Sequence, residues 1–363
     1  MKSKKILLID LGVPFGGVET YLVNLSKILH GQVELFALCV NASLAAALKN
    51  EGVCVVPQGG MKNRGKLANI LMATLLMVWV RVRYVISTFW VNGYSEIVLL
   101  PVAKLLGAQA VATRHLTMEP QPNGWHSNPS RKVAHTLYQA FAFTADKIFC
   151  VSRRVSQDIV KIVDARKVTV IPNWVPELPS AGAPDRHKGK INLLFVGRLE
   201  KYKGAGLILE AMRGLEHPVS LTIVGEGTYK FELQAMAVGL DVHFAGFQSD
   251  PRKFYSETDI FINPSVGPEG LPLVSLEAMS FGLPCILSDL DVHKEISGDG
   301  ESAALFTIGE AADLRRRIAE LASNLGLRSG FGRQARAAIV ARHSPQVARS
   351  AYLEQLESLR KAA

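Results

Sequence analysis

Short β-branched apolar runs alternate with helix-patterned stretches along this chain, and the alternation stops once and then restarts. In the first half the runs are KKILLID (4–10), VELFALCV (33–40), VCVVP (53–57), YVIST (84–88), AQAVATR (108–114), KIFCVS (147–152) and VTVIP (168–172). Amphipathic stretches such as Glu19–Leu29 and Arg153–Val163 fall between them. That pattern predicts βαβ units, whose parallel strands are buried on both faces and therefore read as continuous apolar runs. From Pro172 to Lys190 the text becomes PNWVPELPSAGAPDRHKGK, the composition of an interdomain linker. The alternation then resumes with INLLFV, SLTIV, VHFAG, DIFINPS, PCILS and AALFT. The expectation is an α/β chain of two doubly wound, Rossmann-like domains. One covers residues 1–177 and is completed by a C-terminal helix over 345–363; the other covers 178–344.

A chain of 363 residues has ample length for two cores. The four cysteines, Cys39, Cys54, Cys150 and Cys285, each sit in an apolar run with no metal-ligand spacing, so they are expected to be buried free thiols. The opening MKSKKILLIDLGV carries Asp10 and leads into FGGVE rather than a cleavage site, so it reads as a first strand. The apolar stretch Leu67–Val80 is shorter than the roughly 20 residues of a spanning helix and is closed by Arg81 and Arg83. It reads as a buried or an interfacial helix.

Charge is unevenly placed. The chain holds 41 Lys and Arg against 32 Asp and Glu, yet residues 1–178 alone hold 20 against 10. The positive excess of the first half calls for an anionic partner: phosphates, lipid headgroups or nucleic acid. No nucleic-acid-binding motif supports the last of these, so nucleic acid is not expected as a partner.

In open α/β sheets, ligands collect at the carboxyl ends of strands. After the first run comes GVPFGGVET, whose Gly16 and Gly17 precede a helix predicted to start near Glu19; this fits a phosphate approach or a plain tight turn. After INLLFV comes GRLEKYKG, placing Arg198 and Lys203 where they could meet phosphate oxygens, or form a solvated turn. In PEGLPLVSLEAM, Pro272 suits a first helical turn, which puts Glu269 on the preceding loop and Glu277 inside the helix. Carboxylates accept well from sugar hydroxyls. A ligand carrying both phosphate and hydroxyls would use the whole set.

GRLEKYKG, IPNWV, VGEG, FAGF and PSVGPEGLPLVSLEAMSFGLPCILSD together resemble the retaining glycosyltransferases of family 4, which have the GT-B fold of two Rossmann-like domains facing across a cleft. The resemblance covers nearly the whole chain and is most specific in its C-terminal half. It implies a donor diphosphate on Arg198 and Lys203, transferred-sugar hydroxyls on Glu269, and the ribose on Glu277. It also implies that Gly16 and Gly17 lie beside the diphosphate and sugar, and that His115 is the active-site histidine near the donor sugar. A histidine simply satisfied in its loop is the alternative for His115. The amides of Leu273 and Val274 would contact phosphate, and Gly225 and Gln248 belong to segments where the family holds the base. Where many members have Phe-Gly, this chain has Leu271 and Pro272, and Pro272 has no N–H to offer.

The resemblance further implies transfer of a hexose from UDP or GDP, with retention, to a saccharide or lipid-linked saccharide of the cell envelope. The nucleotide sugar is a substrate, and neither a cofactor nor a metal is implied; Asp289 and Asp291 in LSDLDV read as a helix-capping turn. Domain closure about the linker would complete the site. Lys62, Arg64 and Lys66, ahead of the apolar helix, resemble a basic attachment site for an anionic membrane; the alternative is a solvated loop before a core helix. The expected location is the cytoplasm, peripheral on the inner face of the plasma membrane. Competing readings are a sugar-nucleotide epimerase of the same architecture and a non-catalytic nucleotide- or polysaccharide-binding accessory protein.

Overall fold

The computed structural model describes residues 4–12, 16–57, 65–117, 129–175 and 189–361. Lys62, Arg64 and most of the predicted linker, residues 176–188, lie outside the described residues. The chain divides into two units, Met1–Pro176 with Pro345–Ala363, and Glu177–Ser344.

In the first unit, the strands are β1 (Lys5–Asp10), β2 (Glu34–Cys39), β3 (Cys54–Val55), β4 (Thr88–Val91), β5 (Gln109–Arg114), β6 (Lys147–Cys150) and β7 (Val168–Val170). They pair in parallel in the order β3-β2-β1-β4-β5-β6-β7. The central strands are buried almost end to end, which is why they read as apolar runs without alternation. The C-terminal helix Pro345–Lys361 belongs to this unit: Tyr352 hydrogen-bonds Tyr21 through their hydroxyls at 2.7 Å and sits among the rings of Trp90, Phe149 and Trp174.

Two expectations are corrected here. The run YVIST is not a strand: Tyr84 ends the Lys66–Tyr84 helix, Val85 caps it in the left-handed region (φ 58°), and pairing begins only at Thr88. Cys54, on the two-residue strand at the sheet edge, is exposed, whereas Cys39, Cys150 and Cys285 are buried; all four are free.

The Lys66–Tyr84 helix is not a core helix. Asn69, Ala73, Met77 and Val80 face inward, while Leu67 (72% exposed), Leu71 (61%), Leu75 (65%) and Val82 (77%), with Val78 and Trp79, face solvent. At about 100° per residue, positions 67, 71, 75, 78 and 82 fall within one narrow stripe opposite the buried one. Arg81 fixes the helix end by donating to the carbonyls of Ile86 (2.9 Å) and Leu106 (3.1 Å). By length and composition alone the helix could cross a membrane, but its inner stripe is packed on the domain.

In the second unit, β8 (Ile191–Val196), β9 (Val219–Val224), β10 (Val242–Gly246), β11 (Ile260–Asn263), β12 (Cys285–Ser288) and β13 (Ala304–Phe306) pair in parallel in the order β10-β9-β8-β11-β12-β13. Leu193, Phe195, Ile208, Leu221, Ile223, Ile260, Ile262 and Ile286 are buried at its centre. In each unit the strand order reverses direction beside the first strand, between β1 and β4 and between β8 and β11. Connections leaving two neighbouring strands in opposite directions open a crevice at their carboxyl ends, where open α/β sheets bind ligands.

Candidate functional site

At the switch point of the second unit, backbone loops approach each other so closely that only glycine fits. Gly225 has φ +144°, and a Cβ there would lie 1.9 Å from the Gly197 carbonyl oxygen; one on Gly204 (φ +73°) would lie 2.1 Å from that of Pro264. The loop after β8 is thereby pressed onto the loops after β9 and β11. It carries Arg198 and Lys203 to the crevice.

Lys203 Nζ donates to Glu269 Oε1 at 2.5 Å, with side chains 17% and 7% exposed. The Ser265 hydroxyl donates to the same oxygen at 2.6 Å. Burial opposes ionisation of Glu269, but the Lys203 charge and these hydrogen bonds hold its carboxyl below the ordinary range. It is therefore a fixed carboxylate, and its Oε2 has no donor among the described residues. Lys203 uses one of three N–H donors on Glu269. Behind them Ser288 donates to the Ser265 carbonyl (2.6 Å), and buried His293 donates through Nδ1 to the Ser288 carbonyl (2.9 Å). Burial brings His293 down to about 4, so it is neutral near pH 7. Arg198 is exposed, bonded to the Tyr202 hydroxyl at 2.5 Å, with no carboxylate partner among the described residues.

The Leu273–Ser280 helix begins directly after Pro272, so Glu269 is on the loop and Glu277 in the second turn. The first-turn amides of Leu273 and Val274 have no intrahelical acceptor. Glu277 accepts from the Tyr255 hydroxyl at 2.9 Å, and burial raises its carboxyl to about 7 against the lowering effect of that bond. Its other oxygen has no donor among the described residues. Gln248 turns back to its own loop, donating to the Ala245 carbonyl at 2.8 Å. Asp289 does not sit at a helix cap: it accepts from the Ile308 amide (2.9 Å), and the Asp291–Ser297 helix has Leu290 at its cap position, with Asp291 in its first turn.

In the first unit, Gly16 and Gly17 open the Gly17–Leu29 helix at the carboxyl end of β1, two residues earlier than expected. The Gly16 amide is taken by Glu19 at 2.8 Å. A Cβ on Gly17 would meet nothing within 4 Å, and neither glycine has positive φ, so chain packing among the described residues explains neither. His115 follows β5. Asn92, after β4, donates through Nδ2 to Asp10 (3.1 Å) and to the Val18 carbonyl (3.4 Å), and since a carbonyl can only accept, its Oδ1 faces His115 Nε2 at 2.8 Å. His115 therefore carries its proton on Nε2 and presents Nδ1 as an acceptor. Burial, assisted by the Arg114 charge, lowers it to about 3 and keeps it neutral.

Each unit thus presents its charged and polar groups at its own switch point. Two family models match in tandem: Glycosyltransferase Family 4 over residues 15–177, and Glycosyl transferases group 1 over residues 182–338. The chain belongs to this glycosyltransferase family. It is 32% identical over 185 residues to a phosphatidyl-myo-inositol mannosyltransferase of Mycobacterium leprae; the match covers 49% of this chain and 48% of that one, so it spans about half the length of this relative. It is 25% identical over 325 residues to the lipopolysaccharide 1,6-galactosyltransferase of Salmonella typhimurium, covering 82% of this chain and 84% of that one. Among solved structures, Anabaena HepE in complex with UDP-glucose superposes with a TM-score of 0.79 at 18% identity, over 98% of this chain and 99% of that one. The fold of this glycosyltransferase is GT-B, two Rossmann-like domains.

Ser265, Tyr255, Asn92 and Asp10 were not singled out from sequence. Each acts by holding a candidate residue in place; Ser265 lies inside the quoted PSVGPEG stretch, and the other three lie outside the quoted motifs.

Proposed function

We propose that this chain is a retaining glycosyltransferase that moves a hexose from a UDP or GDP donor to a saccharide or lipid-linked saccharide acceptor in cell-envelope polysaccharide synthesis, without a metal. The observation that carries the reading is Glu269: a buried carboxylate kept ionised by Lys203, with one oxygen open, at the switch point of the donor-side unit. Such a group accepts hydrogen bonds from sugar hydroxyls. Its tight pairing makes it a poor attacking nucleophile, unlike the paired carboxylates of retaining hydrolases. Glu277, about half-ionised at pH 7, accepts from ribose hydroxyls in its carboxylate form.

In the proposed reaction, the bond from the anomeric carbon to the diphosphate oxygen breaks as the acceptor oxygen bonds that carbon on the same face. The acceptor proton passes to the departing phosphate. Arg198 and the two remaining Lys203 donors offset charge growing on the diphosphate. His115 accepts from a donor-sugar hydroxyl through Nδ1, and Gly16 and Gly17 leave room for the sugar and diphosphate. A donor panel beginning with UDP-glucose, with product anomers read by proton NMR, tests this: an α-donor yields an α-product. A β-product contradicts retention, and hydrolysis-free epimerisation without acceptor favours the epimerase reading.

The exposed apolar stripe supports peripheral binding to an anionic membrane. Lys66 and Arg83 flank it, and the 20 to 10 charge excess of residues 1–178 gives the complementary field. Interfacial helices with apolar and basic parts bind in this way, and the location that goes with this proposal is the cytoplasmic face. Flotation with anionic vesicles tests it: Leu71→Asp with Leu75→Asp should abolish binding, and undiminished flotation contradicts the reading.

A further inference from the structure

At the opposite edge of the first unit, where its strands begin, lies a cavity of about 1080 Å³. Lys5 opens β1, Gln109 opens β5, and Ser87 and Asp146 immediately precede β4 and β6. Strands of four to six residues separate this edge from Gly12, Asn92 and His115 by roughly 15–20 Å. It is no part of the site described above.

The lining is strongly basic. Lys4, Lys5, Arg81, Lys104 and Arg360 face only two carboxylates, Glu34 and Asp146. Those two are already engaged: Glu34 pairs with Lys5 at 3.4 Å and Asp146 with Lys104 at 2.7 Å. Lys4 Nζ reaches only the Leu356 carbonyl (3.2 Å), Arg81 only backbone carbonyls, and Arg360 has no acidic partner among the described residues. Among the described residues, three cations thus line one cavity with no counter-charge. Burial and the neighbouring Arg360 pull Lys4 down to about 8, the direction expected of an ammonium lacking its anion. The exposed apolar stripe of the Lys66–Tyr84 helix ends here, since Val85 and Arg81 are among the lining residues.

We propose that this cavity is a binding site for a phosphate ester. Guanidinium and ammonium groups converge on it as they do on phosphate oxygens, and the space exceeds what inorganic phosphate needs. The phosphate could belong to a lipid headgroup, with the stripe meeting the acyl region, or to a soluble ester; only the lipid source draws on the membrane reading above.

Site-specific footprinting of the full chain separates these. An amine-reactive acylating reagent at pH 8 labels Lys4 readily, and mass spectrometry reads the extent. Glycerophosphoglycerol, a soluble headgroup, should reduce Lys4 labelling at least fivefold, and Arg360→Gln should remove that protection. If phosphatidylglycerol vesicles protect and phosphatidylcholine vesicles do not, the site takes a lipid phosphate. If glycerophosphoglycerol or inorganic pyrophosphate protects but vesicles do not, the site stands and its phosphate is soluble. No protection by any of these overturns the proposal. Leu71→Asp with Leu75→Asp serves as the control: it removes vesicle binding through the stripe while leaving protection by glycerophosphoglycerol intact, so failure of the membrane reading is told apart from failure of this one.

Discussion

Replacing Lys203 with Ala strips the counter-charge from a carboxylate that is 7% exposed. Glu269 would then keep only the Ser265 hydroxyl as a donor. Breaking one side of a buried pair costs about 3–5 kcal/mol when the remaining charge is trapped. Glu269 has an escape, which is to take up a proton. From its reference value of 4.5, protonation at pH 7 costs about 3.4 kcal/mol at ~1.4 kcal/mol per pH unit, so this figure caps the cost of leaving Glu269 unpaired in the variant. The penalty should therefore be about 3 kcal/mol at pH 7 and shrink towards 1 kcal/mol at pH 5. The sign follows from the two states. In the wild type the depressed Glu269 value adds stability above pH 4.5 that is lost as pH falls; in the variant the raised value subtracts stability as pH rises. The difference must grow with pH. Urea denaturation can localise it, because all four tryptophans, at 79, 90, 125 and 174, lie in the first unit. Far-UV circular dichroism should show the early transition of the second unit, while tryptophan fluorescence stays unchanged. Lys203→Ala combined with Glu269→Gln should recover most of the loss. A penalty below 1 kcal/mol, or one equal at pH 5 and pH 7, refutes the reasoning.

Glu277 titrates near 7, so if its carboxylate holds the ribose, nucleotide affinity measured by calorimetry should fall up to tenfold per pH unit below 7, and Glu277→Gln should flatten that profile. The same raised value means that stability falls as pH rises from 4.5 to 7, so Glu277→Gln should melt higher than the wild type at pH 8. Gly17→Ala should leave the melting temperature unchanged, because its Cβ meets nothing, yet lower kcat/KM at least tenfold; Gly225→Ala should destabilise the second unit by about 1–3 kcal/mol or more, since strain and a backbone clash combine. Asn92→Ala should lower kcat with little change in donor KM by releasing the His115 tautomer, and a pH–rate profile with no step near 6.5 should persist because His115 is already neutral.

The two parallel sheets were legible because buried strands leave continuous apolar runs, and twelve of the thirteen runs hold the strands observed. YVIST failed because Tyr84 and Val85 complete a helix with a left-handed cap, which β-propensity does not reveal. The Lys66–Tyr84 helix was ambiguous for a related reason: its inner and outer stripes are both apolar, so periodicity could not tell core from surface. Glu269 and Glu277 were placed correctly around Pro272 by the chemistry of a helix start. Their states were not readable, since Lys203 lies 66 residues from Glu269 and Tyr255 lies 22 from Glu277. The Asp10–Asn92–His115 chain spans three strand ends and exists only once β1, β4 and β5 are neighbours.

The central claim is that the second unit holds a nucleotide sugar through Arg198 and Glu277. Thermal stabilisation across UDP, GDP, ADP and their sugar conjugates tests it most directly, repeated with Arg198→Ala and Glu277→Ala. One nucleotide class at 100 times its dissociation constant should stabilise the wild type by about 2.7 kcal/mol, and both variants should lose most of that response. Equal stabilisation of wild type and variants, or none by any nucleotide at millimolar concentration, contradicts the account.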